Sequence, residues 1–168
     1  MQIDKIKIKA DDVYIEWSEK STGGTNIFTL DCKQRAQPEL YQKMVQLADH
    51  VVELIEVPDT YVQGMEIRGV SFDWTEMDKK STVMGAVITV VKRLKSGLYL
   101  CFNTPHATEI PFGKSTELDR CLSSACCDVL RELITEAKGY IAGKRAQLAL
   151  FENEAESSAP RKVHATAK

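Results

Sequence analysis

Two stretches of this chain carry nearly the same pattern. Val13-Tyr14-Ile15-Glu16-Trp17-Ser18-Glu19 is matched by Val70-Ser71-Phe72-Asp73-Trp74-Thr75-Glu76. Each runs valine, two further residues, an acid, tryptophan, a hydroxyl residue and glutamate. Lys20-Ser21-Thr22 follows the first copy as Lys80-Ser81-Thr82 follows the second. Strand alternation puts Val13, Ile15 and Trp17 on one face, and Val70, Phe72 and Trp74 on one face of a second strand. An amphipathic helix comes later in each half. Leu40, Met44, Leu47, Ala48, Val51 and Ile55 form the first stripe; Leu118, Leu122, Cys126, Val129, Leu133, Ala137 and Tyr140 form the second. Two such units bury their stripes by laying both helices on a shared sheet. The pattern predicts an α+β fold, with an antiparallel sheet of about six strands and two amphipathic helices on one face. It also predicts an internal duplication, with half-repeats at about 1–57 and 64–143 related by a pseudo-two-fold axis. Trp17 and Trp74 are expected in equivalent, largely buried places.

The other elements follow from local signals. Ile6 to Lys9 alternates as a half-buried strand, and Asp11-Asp12 turns the chain. Asn26 to Cys32 reads as a third strand. Pro38 suits the first helical position, where its missing N–H costs nothing. Gly97 turns one late strand, from Ala86 to Leu94, into another, Leu98 to Phe102. A long loop over 103–115 follows, and Thr116 with Asp119 resembles a capping box for the second helix. Gly143 is a natural helix stop. Residues 1–143 are thus expected to form one domain and 144–168 a flexible tail.

The chain's 168 residues suffice for one domain with a real core. A net charge of −2 gives no global basic signal for duplex DNA. Cys32, Cys101, Cys121, Cys126 and Cys127 show no zinc-ligand spacing, and they read as reduced side chains. The N-terminal residues carry no apolar signal region, and no stretch is apolar enough to span a membrane. These features predict a cytoplasmic protein with no cofactor, no metal site and no membrane partner.

After Gly143 comes Gln147-Leu148-Ala149-Leu150-Phe151, and beyond it the acidic run that begins Glu152-Asn153-Glu154. Apolar groups in that place either fold back on the body or dock into something else. The pentapeptide resembles the motif by which bacterial replication and repair proteins bind the DNA polymerase sliding clamp. Gln147, Leu148, Leu150 and Phe151 match the family pattern; Ala149 stands where Ser or Asp is favoured. The resemblance implies docking in an apolar cleft of the clamp. Each of the three apolar side chains would contribute roughly 1.5–3 kcal/mol there, with Gln147 at a polar rim.

The two β-rich halves, the Gly143-Lys144-Arg145-Ala146-Gln147 junction and the terminal Leu-x-Leu-Phe are similar to small phage and prophage proteins of replication and recombination gene clusters. That resemblance implies a non-enzymatic accessory factor in phage DNA replication or recombination. It would bind the clamp of a bacterial host, either recruiting another replication or recombination protein or competing at the cleft.

The alternative is a single-stranded nucleic-acid-binding protein. Lys5, Lys7 and Lys9 form a basic row on the first strand, and Lys92, Arg93 and Lys95 cluster near a hairpin tip. The competing reading of the row is protection of an edge strand. Chemistry is otherwise sparse. His106 sits in the long loop without a partner at metal spacing. Glu16 and Asp73 are equivalent acids of the two copies, and alternation makes both solvated.

Overall fold

Ile3, Ile6 and Ile8 give the first strand one wholly buried face. The computed structural model describes residues 1–78, 81–110 and 121–146. In chain order the elements are β1 (Gln2–Lys9), β2 (Asp12–Ser21), β3 (Gly24–Cys32) and α1 (Pro38–Leu54), then a single 3-10 turn at Asp59–Val62. There follow β4 (Met65–Asp78), β5 (Ser81–Arg93), β6 (Tyr99–Asn103), the two-residue β7 (Ala107–Thr108) and α2 (Ser124–Ile141). The sheet order is β3-β2-β1-β4-β5-β6, with β7 also paired to β5. All named pairings are antiparallel. The fold is therefore α+β, as expected. Among the described residues, no helix is long and apolar enough to cross a membrane.

The two hairpin systems meet at a narrow seam. β1 and β4 pair only through Lys5–Ser71, Ile6–Val70 and Lys7–Gly69. A single hydrophobic cluster spans this seam. It includes Ile6, Ile15, Val70 and Ile88 from the sheet, with Leu47 and Val51 of α1 and Leu130 and Leu133 of α2. α1 packs on β4, α2 on β1, and the helices on each other. Each such buried side chain is worth roughly 1.5–3 kcal/mol. Shared burial, more than three residue pairs of ladder, holds the halves together.

The helices end as their sequences suggest. Pro38 opens α1 without a side-chain cap, whereas Ser123 caps α2 by accepting from the Cys126 N–H. Both C-termini close through paired backbone bonds. Glu56 N–H donates to Glu53 O and Val57 N–H to Val52 O; Gly143 N–H donates to Tyr140 O and Lys144 N–H to Gly139 O. Each closure needs a left-handed residue, Glu56 at φ 57° and Gly143 at φ 100°.

Three expectations are corrected. Trp17 and Trp74 are not related by a two-fold axis. β2 and β4 both run antiparallel to β1, so they are parallel to each other. A two-fold axis normal to a sheet relates strands of opposite direction. Both indoles are half-buried rather than buried: Trp17 stacks on Phe28, and Trp74 donates to the Ile3 carbonyl at 2.8 Å. Secondly, Lys5, Lys7 and Lys9 do not guard an edge, because β1 lies between β2 and β4. Thirdly, α2 begins at Ser124, not near Leu118. Leu122 precedes the helix, its N–H donating to Thr108 O, and Cys121 bridges to Thr108. Thr116, Leu118 and Asp119 lie outside the described residues.

Gly69 makes the seam possible. A Cβ there would stand 2.8 Å from the Ile6 carbonyl oxygen. Gly69→Ala should lower stability by roughly 1–3 kcal/mol, as overpacking does. The urea midpoint should fall with little change in slope. Gly23→Ala, where nothing lies within 4 Å, should leave the midpoint nearly unchanged.

Candidate functional site

Gln147, Leu148, Leu150 and Phe151 lie outside the described residues. The approach to them is well defined. Residues 144–146, expected as the start of the tail, are instead tied to the body. Lys144 Nζ pairs with Glu136 at 2.9 Å. Arg145 forms an antiparallel bridge with Ala36, and its carbonyl accepts from Gln37 Nε2 at 3.0 Å. Ala146 N–H donates to Arg35 O at 3.1 Å. The Arg145 guanidinium lies 3.5 Å above the Tyr140 ring. Its Nε and Nη1 are buried without hydrogen-bond partners and lie against the ring, while the guanidinium also acts on the Cys32 thiol.

Beside this exit is an open groove of about 590 Å³, lined by Ala36, Pro38, Tyr41, Val45 and Ala146 among others. Arg35 sits at one wall, its guanidinium 5.7 Å from the Tyr41 ring centre. Val45 is 73% exposed, on the side of α1 away from its buried stripe. The sequence carried this signal, since Val45 departs from the helical apolar repeat. The groove itself was hidden, because Ala36 and Ala146 are far apart in the chain.

Cys32 lies behind the exit. The Tyr140 hydroxyl, within reach of both the Gln34 carbonyl and the Cys32 sulfur, is the main influence holding the thiol below the usual range by donating to the thiolate. The Gln34 backbone and Arg145 act in the same direction. Burial pushes Tyr140 up in turn, with Cys32 adding to the effect. At the start of α2, burial pushes the Cys126 thiol to about 12 and raises Cys127 as well.

The lysines do not form one basic surface. Lys5 and Lys7 point away from the buried face of β1, but their β2 partners are Glu16 and Tyr14, and Lys9 faces Asp12. Lys7 Nζ lies 5.7 Å from the Tyr14 ring centre, and the Tyr14 hydroxyl donates to Glu16 at 2.8 Å. That bond raises the phenol's pKa. Lys92 is committed elsewhere, donating to the carbonyls of Tyr61 and Gln63, the latter at 2.8 Å. Alternation along β5 sends Arg93 to the opposite face from Lys92, and Lys95 lies in the turn beyond.

His106 has a neighbour that the sequence did not indicate. Its Nε2 stands 3.8 Å from Asp73 Oδ2, beyond hydrogen-bond range. The imidazole covers Gly85, where a Cβ would meet Nε2 at 2.4 Å. Glu16 and Asp73 lie on β2 and β4, separated by β1, so they do not form a carboxylate pair. Among the described residues, no group of three or more His, Cys, Asp or Glu side chains is placed to hold a metal ion. The chain matches no protein-family model, no curated protein and no solved structure.

The cysteines offer a direct check on this geometry. A lowered thiol pKa means that thiolate appears at lower pH, so iodoacetamide should alkylate Cys32 at a pH where an ordinary thiol is slow. Tyr140→Phe should move that rate profile to higher pH. Cys126 and Cys127 should resist until the protein is unfolded. Mass spectrometry of peptides labelled across a pH series reads all three.

Proposed function

We propose that the chain is a non-enzymatic accessory factor of phage or prophage DNA replication or recombination, acting in the cytoplasm of a bacterial host. It binds the host's DNA polymerase sliding clamp through Gln147, Leu148, Leu150 and Phe151. The observation that carries this reading is the pentapeptide itself, which begins one residue after the last anchored position, Ala146. The body then serves as a mount that fixes where the peptide leaves. The mixed charge around Lys5, Lys7 and Lys9 favours this reading over a single-strand-binding surface, because Glu16 and Asp12 stand opposite two of those lysines.

The mount is a duplicated βββα unit, with both helices on one face and a pseudo-two-fold axis at the seam. The axis exchanges β1 with β4, β2 with β5 and α1 with α2. Its best support is a shared irregularity. The β1–β2 ladder shifts register between Ile3 and Lys5, and the β4–β5 ladder shifts between Ile67 and Gly69. Aligning Ile6 with Val70 superposes the two bulges. The same alignment brings buried Ile8 onto Phe72 and Ile15 onto Ile88. In the helices, Leu40, Met44, Leu47 and Val51 match Cys126, Leu130, Leu133 and Ala137, all buried. Each helix also ends in the same paired closure, at Glu56 and at Gly143, which lies one residue further along α2 than the helix alignment alone would place it.

Calorimetric titration against a purified bacterial clamp tests the function. Micromolar binding, about −8 kcal/mol, is expected. Leu150→Ala with Phe151→Ala removes roughly 3–6 kcal/mol of apolar burial and should abolish detectable binding. Absence of binding by the unaltered chain at tens of micromolar, roughly −6 to −7 kcal/mol, would reject the reading.

A further inference from the structure

The groove on α1 and the chain's exit beside it are one feature. Ala146, the last described residue, is itself part of the groove wall. It is held there by the bonds from Ala146 to Arg35 and between Arg145 and Gln37. From this point the chain continues directly into Gln147-Leu148-Ala149-Leu150-Phe151. We propose that the groove is the resting place of this segment, so that the free protein holds its docking peptide in cis and a partner must displace it. The identity of that partner rests on the clamp reading above; occupation of the groove does not.

Length and chemistry both fit. From Pro38 to Gln46, α1 advances roughly 12 Å at 1.5 Å per residue. Five residues of extended chain reach at most about 17 Å. The segment therefore spans the groove with little slack. Pro38, Tyr41 and the exposed Val45 offer apolar surface along one line of the helix, at spacings of three and four residues. Leu148, Leu150 and Phe151 need such surface. Gln42 and Gln46 also line the groove, with donors and acceptors that match the carboxamide of Gln147. A peptide that begins at the groove wall meets it at an effective concentration on the order of millimolar. An intrinsic groove affinity near 100 µM then suffices to weaken binding to an outside partner about tenfold.

Two measurements on the full-length chain test this. The first compares amide resonances of Tyr41 and Val45 between the unaltered protein and Leu150→Ala/Phe151→Ala. They should move, with those of Gly23 unmoved as a distant control. The second compares clamp affinity of the unaltered protein and Val45→Glu, a substitution at an exposed position that places a charge in the groove. Val45→Glu should bind about five- to tenfold more tightly. If the resonances coincide, the peptide does not occupy the groove and the inference falls, whatever the clamp result. Moved resonances with equal clamp affinities leave the contact but overturn the competition. Moved resonances with no clamp binding by either protein uphold the contact while the clamp reading falls. Coincident resonances with equal, measurable affinities do the reverse.

Discussion

The structure depends on a narrow strand junction under a broad core. Three residue pairs join β1 to β4, and one cluster of apolar side chains closes over them. Backbone hydrogen bonds contribute about 0.5–1.5 kcal/mol each in net terms, so the seam's own ladder is a weak fastener. The crossed packing compensates, with α1 on β4 and α2 on β1. Neither half can release its helix without exposing the other's sheet. Gly69 lets the two strands approach, and the bulges on either side of the seam turn Ile3 and Ile67 back toward the core.

Much of this was legible in the sequence, and the limits are instructive. Helix periodicity located α1 closely, because Pro38 marks its start and the apolar stripe is unbroken. Alternation located β1 to β4 and the Gly97 turn placed β5 and β6, whereas the two-residue β7 lies within the stretch read as a loop. The Trp17 and Trp74 match misled because sequence likeness between two strands carries no direction. Pairing showed β2 and β4 to be parallel, which no two-fold normal to the sheet permits. The lysine row misled for a related reason. Alternating Lys and Ile describes a one-sided strand equally well at an edge or in the middle, and only the β1–β4 pairing decides. Leu122 was assigned to α2 because a single leucine fits both periods; the Ser123 cap ends the ambiguity.

The candidate sites were less legible because they depend on distant contacts. Asp73 and His106 come within 3.8 Å because β5 pairs with β4 on one side and with β7, which His106 precedes, on the other. Cys32, Tyr140 and Arg145 gather where β3 ends and α2 releases the chain. The same gathering holds Ala146, the residue before the C-terminal pentapeptide. In the proposed reading, a docking peptide that follows an anchored Ala146 differs from one on a free tail, because its encounter with the groove would be intramolecular.

Native-state hydrogen exchange tests most directly whether one core unites the halves across a three-pair seam. The slowest amides should lie in β1 and α1 and equally in β4 and α2. They should share a single opening free energy, equal to that of global unfolding. Calorimetric and van't Hoff enthalpies should then agree. A structure in which α1 with β2 and β3 opens at a clearly lower free energy than α2 with β4 and β5, or melts in a separate transition, would contradict the account.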